Sequence, residues 1–138
     1  MDIRICIDVA DLPRAIAFYT EGLGLRLGRR LGDDWAELLG GGSAIDLLAN
    51  AAGTAPLGAS HPQRRDYGRH WTPVHLDFVV EELEPVLQRL LALGATLERP
   101  VQERRWGRMA NLADPFGHGI DLLQFCGRGY DEILQPSA

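Results

Sequence analysis

The four residues Ile45-Asp46-Leu47-Leu48 return letter for letter as Ile120-Asp121-Leu122-Leu123, 75 residues later. The neighbourhoods match as well. Arg4 stands seven residues before Asp11-Leu12 and His75 seven before Glu82-Leu83, at an offset of 71. Each alternating apolar run leads into a helical pattern that ends in Leu-Gly, at Leu23-Gly24 and Leu93-Gly94. Self-similarity on this scale marks a duplicated structural unit of about 50 residues. The fold is therefore restricted to arrangements of two like modules.

In the first module, Ile3, Ile5, Ile7 and Val9 alternate with Arg4, Cys6 and Asp8. This is the period-two signature of a half-buried strand, with the isoleucines on the helix side and Arg4, Cys6 and Asp8 on the other. Asp11 is a natural N-cap and Pro13 falls in the first turn, where its missing N–H costs nothing. Leu12, Ala15, Ile16, Tyr19 and Leu23 then recur at helical spacing until Gly22 and Gly24 stop the helix. Three short strands are expected at 25–31, 35–39 and 44–48, separated by turns at Asp33-Asp34 and Gly40-Gly41-Gly42. No helix follows the glycine run, so it is a hairpin turn and not a phosphate loop.

The second module repeats the order. A strand is expected over 74–80, with His75 and Asp77 on one face and Leu76, Phe78 and Val80 on the helix side. Leu83, Val86, Leu87, Leu90 and Leu91 form a helix face closed by Gly94. Strands follow at 95–99, ended by Pro100, at 108–112 and at 119–125, the last two joined by a tight turn at Asp114-Pro115-Phe116-Gly117. The chain thus divides into module one (1–50), a linker (51–73), module two (74–126) and a tail (127–138) within a single domain. The linker, with Gly53, Pro56, Gly58, Pro62 and Gly68, is expected to act as a flap or a dimer contact. Tyr130, Ile133 and Leu134 of the tail are candidates for docking on a neighbour.

Charge and composition exclude several classes. The net charge of −5 is spread along the chain and gives no basic stripe for nucleic acid. No apolar run approaches the ~20 residues of a membrane span. No charged-then-apolar leader precedes the strand pattern at Ile3, so a cytoplasmic location is expected. Cys6 and Cys126 fall in apolar, strand-like segments and are expected as buried free thiols, with a disulfide between them the alternative.

Val9-Ala10-Asp11-Leu12, Phe18-Tyr19 and Leu23-Gly24-Leu25 resemble the opening unit of the vicinal oxygen chelate superfamily, the glyoxalase, bleomycin-resistance and dioxygenase fold. Leu93-Gly94-Ala95, Trp106-Gly107 and Ala113-Asp114-Pro115-Phe116-Gly117-His118 resemble its second unit. The resemblance implies an α+β fold of two tandem βαβββ modules forming an incomplete barrel around a cleft. It also implies a small-molecule ligand and a homodimer. Metal-dependent members place one ligand on the first strand and one on the last strand of each unit. Those positions fall on Arg4 and Asp46, and on His75 and Asp121.

Asp46, His75 and Asp121 suit a divalent cation with oxygen-rich preference, so the one candidate cofactor is a single manganese, iron, nickel or zinc ion. Arg4 opposes it: a guanidinium cannot be a ligand, and it can itself neutralise Asp46 or Asp121. The family's usual carboxylate is Glu, and Asp is one methylene shorter. One His at a ligand position argues against the two-His iron site of an extradiol dioxygenase. Arg4, Asp8, Trp35, Asp77 and Trp106 are candidate ligand-binding residues, with core packing the plain alternative for each tryptophan. Arg4 would pair an acidic ligand group, and Asp77 or Asp8 is a candidate base. His75 has a plain alternative as a barrel histidine bonded to Asp77 or Asp121. His61, His70 and His118 are expected in solvent.

Two functions are expected. One is a binding or resistance protein that holds a small molecule without a full four-ligand metal site. The other is a metal-dependent lyase, isomerase or dioxygenase acting on a small oxygenated metabolite. Fold alone does not choose between them.

Overall fold

The computed structural model describes residues 1–135 and divides into two compact units, Met1–His70 and the chain from Trp71 onward. The first unit holds β1 (Arg4–Val9), α1 (Leu12–Leu23), β2 (Arg26–Leu31), β3 (Trp35–Leu39) and β4 (Ala44–Ala49). Its sheet runs β1-β4-β3-β2, with β1 parallel to β4 and the other pairs antiparallel. Asp11 caps α1 as expected, its Oδ1 accepting from Arg14 N at 2.9 Å. Leu12, Ala15, Phe18 and Tyr19 are buried, as are Ile7, Val9, Ala36, Leu38, Ile45 and Leu47 of the strands. Those strand residues share one side of the pleat, which leaves Cys6, Asp46 and Glu37 on the other.

The second unit holds β5 (Leu76–Val79), α2 (Leu83–Ala92), β6 (Thr96–Leu97), β7 (Gln102–Arg104), β8 (Gly107–Ala113) and β9 (Gly119–Phe125). The order is β5-β9-β8-β6, with β7 also pairing β8. β5 lies parallel to β9, as β1 lies parallel to β4. Strand β7 was not expected from the sequence. Pro100, which cannot donate to a ladder, splits one strand position into β6 and β7. Unit one interrupts the same position differently, with a register shift between Leu27 and Arg30. Neither sheet closes on itself, and each module is a βαβββ unit in an α+β fold.

Helix α2 has no side-chain cap from Glu82; Gln124 Oε1 instead accepts from Leu83 N at 2.8 Å. The Asp114 turn forms as read, its Oδ1 accepting from Phe116 N at 2.8 Å and His118 N at 2.9 Å. Gly107 sits at φ +147°, where a Cβ would stand 2.0 Å from Gln124 O. Only glycine lets β8 approach β9 there.

The segment 50–70 has little regular structure but folds on module one. Gly53 N donates to Arg65 O and Arg65 N to Thr54 O, each at 2.8 Å. Tyr67 Oη donates to Asn50 O at 2.6 Å. Both cysteines are free and exposed, contrary to the burial expected of them. The reason is parity: Cys6 shares the face of Arg4, not of the isoleucines, and Cys126 lies just past the end of β9. His61, His70 and His118 are half-buried rather than fully in solvent. No helix among the described residues is long and apolar enough to cross a membrane.

Candidate functional site

Each module carries a polar row across its sheet, on the face opposite its helix. In module one the strand register sets Cys6 beside Asp46 and Asp46 beside Glu37. Arg4 lies across this row. Its Nε donates to Asp46 Oδ2 at 2.9 Å, and its Nη2 donates to Asp46 Oδ1 at 2.6 Å and to Glu37 Oε2 at 2.7 Å. Arg29 closes the other side, its Nε donating to Glu37 Oε1 at 3.0 Å and its Nη2 to Oε2 at 2.5 Å. A Cβ at Gly28 would come within 2.8 Å of Glu37 Oε1, so that glycine makes room for the carboxylate.

Glu37 is 3% and Asp46 5% exposed, so both carboxylates are withdrawn from water. Hydrogen bonds from Arg29 and then Arg4 lower the Glu37 carboxyl from 4.5 to about 2, against the opposing effect of burial. Hydrogen bonds to Asp46 first and to Glu37 next raise the Arg4 guanidinium. Two arginines balance two carboxylates, and the network is neutral and internally satisfied. Glu37 and Arg29 were missed from sequence. The signal for Glu37 was its parity, between core-facing Ala36 and Leu38.

Asp8 lies further along β1 and is also engaged. Arg65 Nε donates to Asp8 Oδ2 at 2.7 Å, and Asn50 Nδ2 donates to Asp8 Oδ1 at 2.9 Å. A groove of about 550 Å³ lined by Met1, Asp2, Ile3, Gly42, Ser43 and Ala44 borders Arg4. Trp35 is half-buried at the start of β3.

In module two the register sets Asp77 beside Asp121 and Asp121 beside Asn111. His75 precedes β5, and its Nε2 lies 3.1 Å from Asp77 Oδ1 and 3.6 Å from Asp121 Oδ2. Asp121 is further held by Asn111 Nδ2, which donates to its Oδ1 at 2.8 Å. The Asp77 carboxyl is raised above its ordinary value by burial first and by the Asp121 charge, with His75 opposing. Here His75, not an arginine, faces the two carboxylates. His75, which was read as a ligand position, sits where module one has Arg4, and Asp77 sits where module one has Cys6.

One donor atom from each of His75, Asp77 and Asp121 falls within 4.8 Å of the others. One imidazole and two carboxylates form a donor set that fits a divalent cation of borderline or hard character. Asn111 engages Oδ1 of Asp121 and leaves Oδ2 towards His75, the second-sphere support such ligands have. A cation would displace the His75–Asp77 contact, because Nε2 must lose its proton to ligate. Of the expected metal residues, His75 and Asp121 come together, while Asp46 is held by Arg4. Trp106 packs edge-on against Phe125 and Tyr130, with ring centroids 5.8 and 5.1 Å away, in an aromatic group under the 3-10 turn Gly129–Ile133.

The family model described as the glyoxalase-like domain matches residues 4–123. An uncharacterised protein of Mycobacterium tuberculosis is 39% identical over 54 residues, 38% of this chain and 32% of that protein. The match thus spans about a third of that relative's length. Among solved structures, the fosfomycin resistance protein FosX of Listeria monocytogenes aligns with TM-score 0.69 at 20% identity, over 96% of each chain. A FosX variant complexed with Mn(II) and 1S,2S-dihydroxypropylphosphonic acid aligns with TM-score 0.67 at 21% identity, over 89% of this chain and 88% of that one. Lactoylglutathione lyase of Agrobacterium tumefaciens aligns with TM-score 0.61 at 19% identity, over 90% of this chain and 92% of that one. At these identities the likeness is one of fold.

Proposed function

The chain belongs to the glyoxalase-like domain family within the vicinal oxygen chelate superfamily, and we propose that it binds a small molecule without a four-ligand metal centre. The observation that carries this reading is the two-pronged grip of Arg4 on Asp46. A guanidinium at the first of the four family positions donates only, and it commits the carboxylate at the second. Module one is then a neutral support. Recognition falls to module two, whose His75, Asp77 and Asp121 present acceptors and a titratable donor to a hydroxyl-rich or cationic ligand group. A homodimer in the cytoplasm is the expected setting.

The test is a thermal-shift screen of small oxygenated metabolites, run on protein before and after treatment with a chelator. Stabilisation by the same compounds in both samples supports metal-independent binding. Stabilisation that vanishes on chelation and returns with a single divalent ion contradicts it.

A second reading is favoured by the convergence of His75, Asp77 and Asp121. Those three residues would hold one manganese, iron, nickel or zinc ion. Bound there, the ion would supply Lewis-acid polarisation of a ligand oxygen, as a lyase or isomerase of this superfamily requires. The FosX variant with Mn(II) supports the reading by analogy of fold.

A further inference from the structure

Beyond the three clustered side chains of module two, a line of hydrogen bonds runs away from Asp121 across the sheet. Asn111 Nδ2 donates to Asp121 Oδ1 at 2.8 Å, and Gln102 Nε2 donates to Asn111 Oδ1 at 2.8 Å. Arg104 Nη2 in turn donates to Gln102 Oε1. Arg104 is exposed, whereas Gln102, Asn111 and Asp121 are half-buried.

We infer that Gln102 and Asn111 are positioning residues, an amide relay anchored on Arg104 that fixes which oxygen of Asp121 faces His75. The inference rests on the reading that His75, Asp77 and Asp121 form the recognising group. The polarity of the relay follows from its two ends. An ionised carboxylate only accepts and a guanidinium only donates. Asn111 must therefore turn its NH2 to Asp121, which turns its carbonyl to Gln102; Gln102 must then give its NH2 and turn its own carbonyl to Arg104. Flipping either amide sets donor against donor or acceptor against acceptor, so the orientations that side-chain amides usually leave open are closed here. Bonds aligned in one sense from a cation to an anion also polarise one another.

Strand β7 is what makes the relay possible. It brings Gln102 and Arg104 to β8, a contact that module one cannot copy, since there Arg29 reaches Glu37 directly. The consequence for the site is specific. With Oδ1 of Asp121 occupied by Asn111, Oδ2 is the oxygen left to a cation or ligand donor beside His75, so Asp121 engages through a single oxygen.

The plain alternative is that these amides only staple β7 to β8. NMR of the 15N-labelled full chain, joined to calorimetric titration with Mn(II), separates the two. Replacing Gln102→Leu is expected to shift the Asn111 side-chain amide resonances and speed their exchange with water. It should weaken Mn(II) binding about ten-fold, in the range of second-sphere losses. Gln102→Glu, which turns an acceptor towards the Asn111 carbonyl, is expected to cost more. Asn111 amide resonances that stay in place in Gln102→Leu overturn the relay, as does unchanged Mn(II) affinity in a wild type that binds the ion. If the wild type takes up no Mn(II), the cation reading of module two fails, and the relay is read at its far end. The 13C resonance of the Asp121 side-chain carboxyl must then shift in Gln102→Leu, which a mere staple would not cause, and its indifference overturns the relay. Should Gln102→Leu not fold, Asp121→Asn probes the same line from its other end. The Gln102 side-chain amide must then respond, and its indifference overturns the relay.

Discussion

Arg4 holds Asp46 through two parallel hydrogen bonds, Nε to Oδ2 at 2.9 Å and Nη2 to Oδ1 at 2.6 Å. This geometry is the strongest form of the arginine–carboxylate pair. It occupies two of the four positions at which the resemblance to the superfamily implies metal ligands. The matching positions of module two carry His75 and Asp121, with no arginine between them. Duplication supplied two equivalent rows; one is neutralised by its own arginines, and the other gathers His75, Asp77 and Asp121.

The Arg4 network should fail asymmetrically. Arg4→Met leaves Asp46 and Glu37 buried with Arg29 alone as counter-charge, whereas its long apolar stem keeps the packing. A melting temperature lower by several degrees is expected by calorimetry, with module two's ligand affinity retained. Unchanged stability would mean that water reaches these carboxylates freely.

Acid sensitivity follows from Glu37. Its carboxyl is lowered in the fold to about 2 from 4.5, so the ionised form stabilises the native state. That contribution is present above about 4.5 and is lost as pH falls through the interval to about 2. Glu37→Gln should be less stable than the wild type at pH 6, and the gap should close as pH falls from 4.5 towards 2. Melting curves across pH read this directly, and a pH-independent gap would contradict it.

Asp77 points the other way. Burial and the neighbouring Asp121 raise its carboxyl, so ionisation works against the fold. Its favourable contribution is present below the ordinary value of 3.8 and is lost as pH rises through the raised one. Asp77→Asn should therefore melt at or slightly above the wild-type temperature at pH 7 while losing ligand or cation binding. A less stable variant at neutral pH would show Asp77 to be a structural partner of His75 instead.

Arg65 ties the segment after module one to β1. Arg65→Ala removes its bond to Asp8 Oδ2 and those to Thr54 Oγ1 and Ala55 O. A loss of about 1–2 kcal/mol is expected, as for hydrogen bonds to charged groups. Limited proteolysis should cut faster within 53–70, and unchanged cleavage would show that Arg65 does not hold the segment.

Gly107→Ala tests the β8–β9 approach. The added Cβ would stand 2.0 Å from Gln124 O and 2.9 Å from Phe125 Cα, at a φ that side chains avoid. A cost above about 2 kcal/mol in denaturant unfolding is expected. Tolerance of alanine would mean that the strand end moves freely.

Much of this was legible in residue order. Parity on β1 and β5 placed Arg4, His75 and Asp77 on the face away from the helices, and the repeated Ile-Asp-Leu-Leu fixed Asp46 and Asp121. What stayed hidden depended on neighbours remote in sequence. Glu37 lies in an apolar strand and shows its role only when β4 brings Asp46 alongside. Arg29 reaches Glu37 through a register shift that no periodicity announces. Gln102 carries no apolar alternation, so β7 is created by its pairing with β8 and not by propensity. Arg65 lies in a segment of glycines and prolines that reads as a spacer until its ion pair with Asp8 is seen. Cys6 was readable and misread, since its alternation with the isoleucines already put it on the exposed face.

The central claim is that recognition belongs to module two while Asp46 is committed to Arg4. It is tested most directly by one thermal-shift panel of small oxygenated metabolites and divalent ions, run in parallel on the wild type, Asp46→Asn and Asp121→Asn. Compounds that stabilise the wild type should stabilise Asp46→Asn by a similar shift and leave Asp121→Asn unmoved. Binding lost in Asp46→Asn and kept in Asp121→Asn would contradict the account.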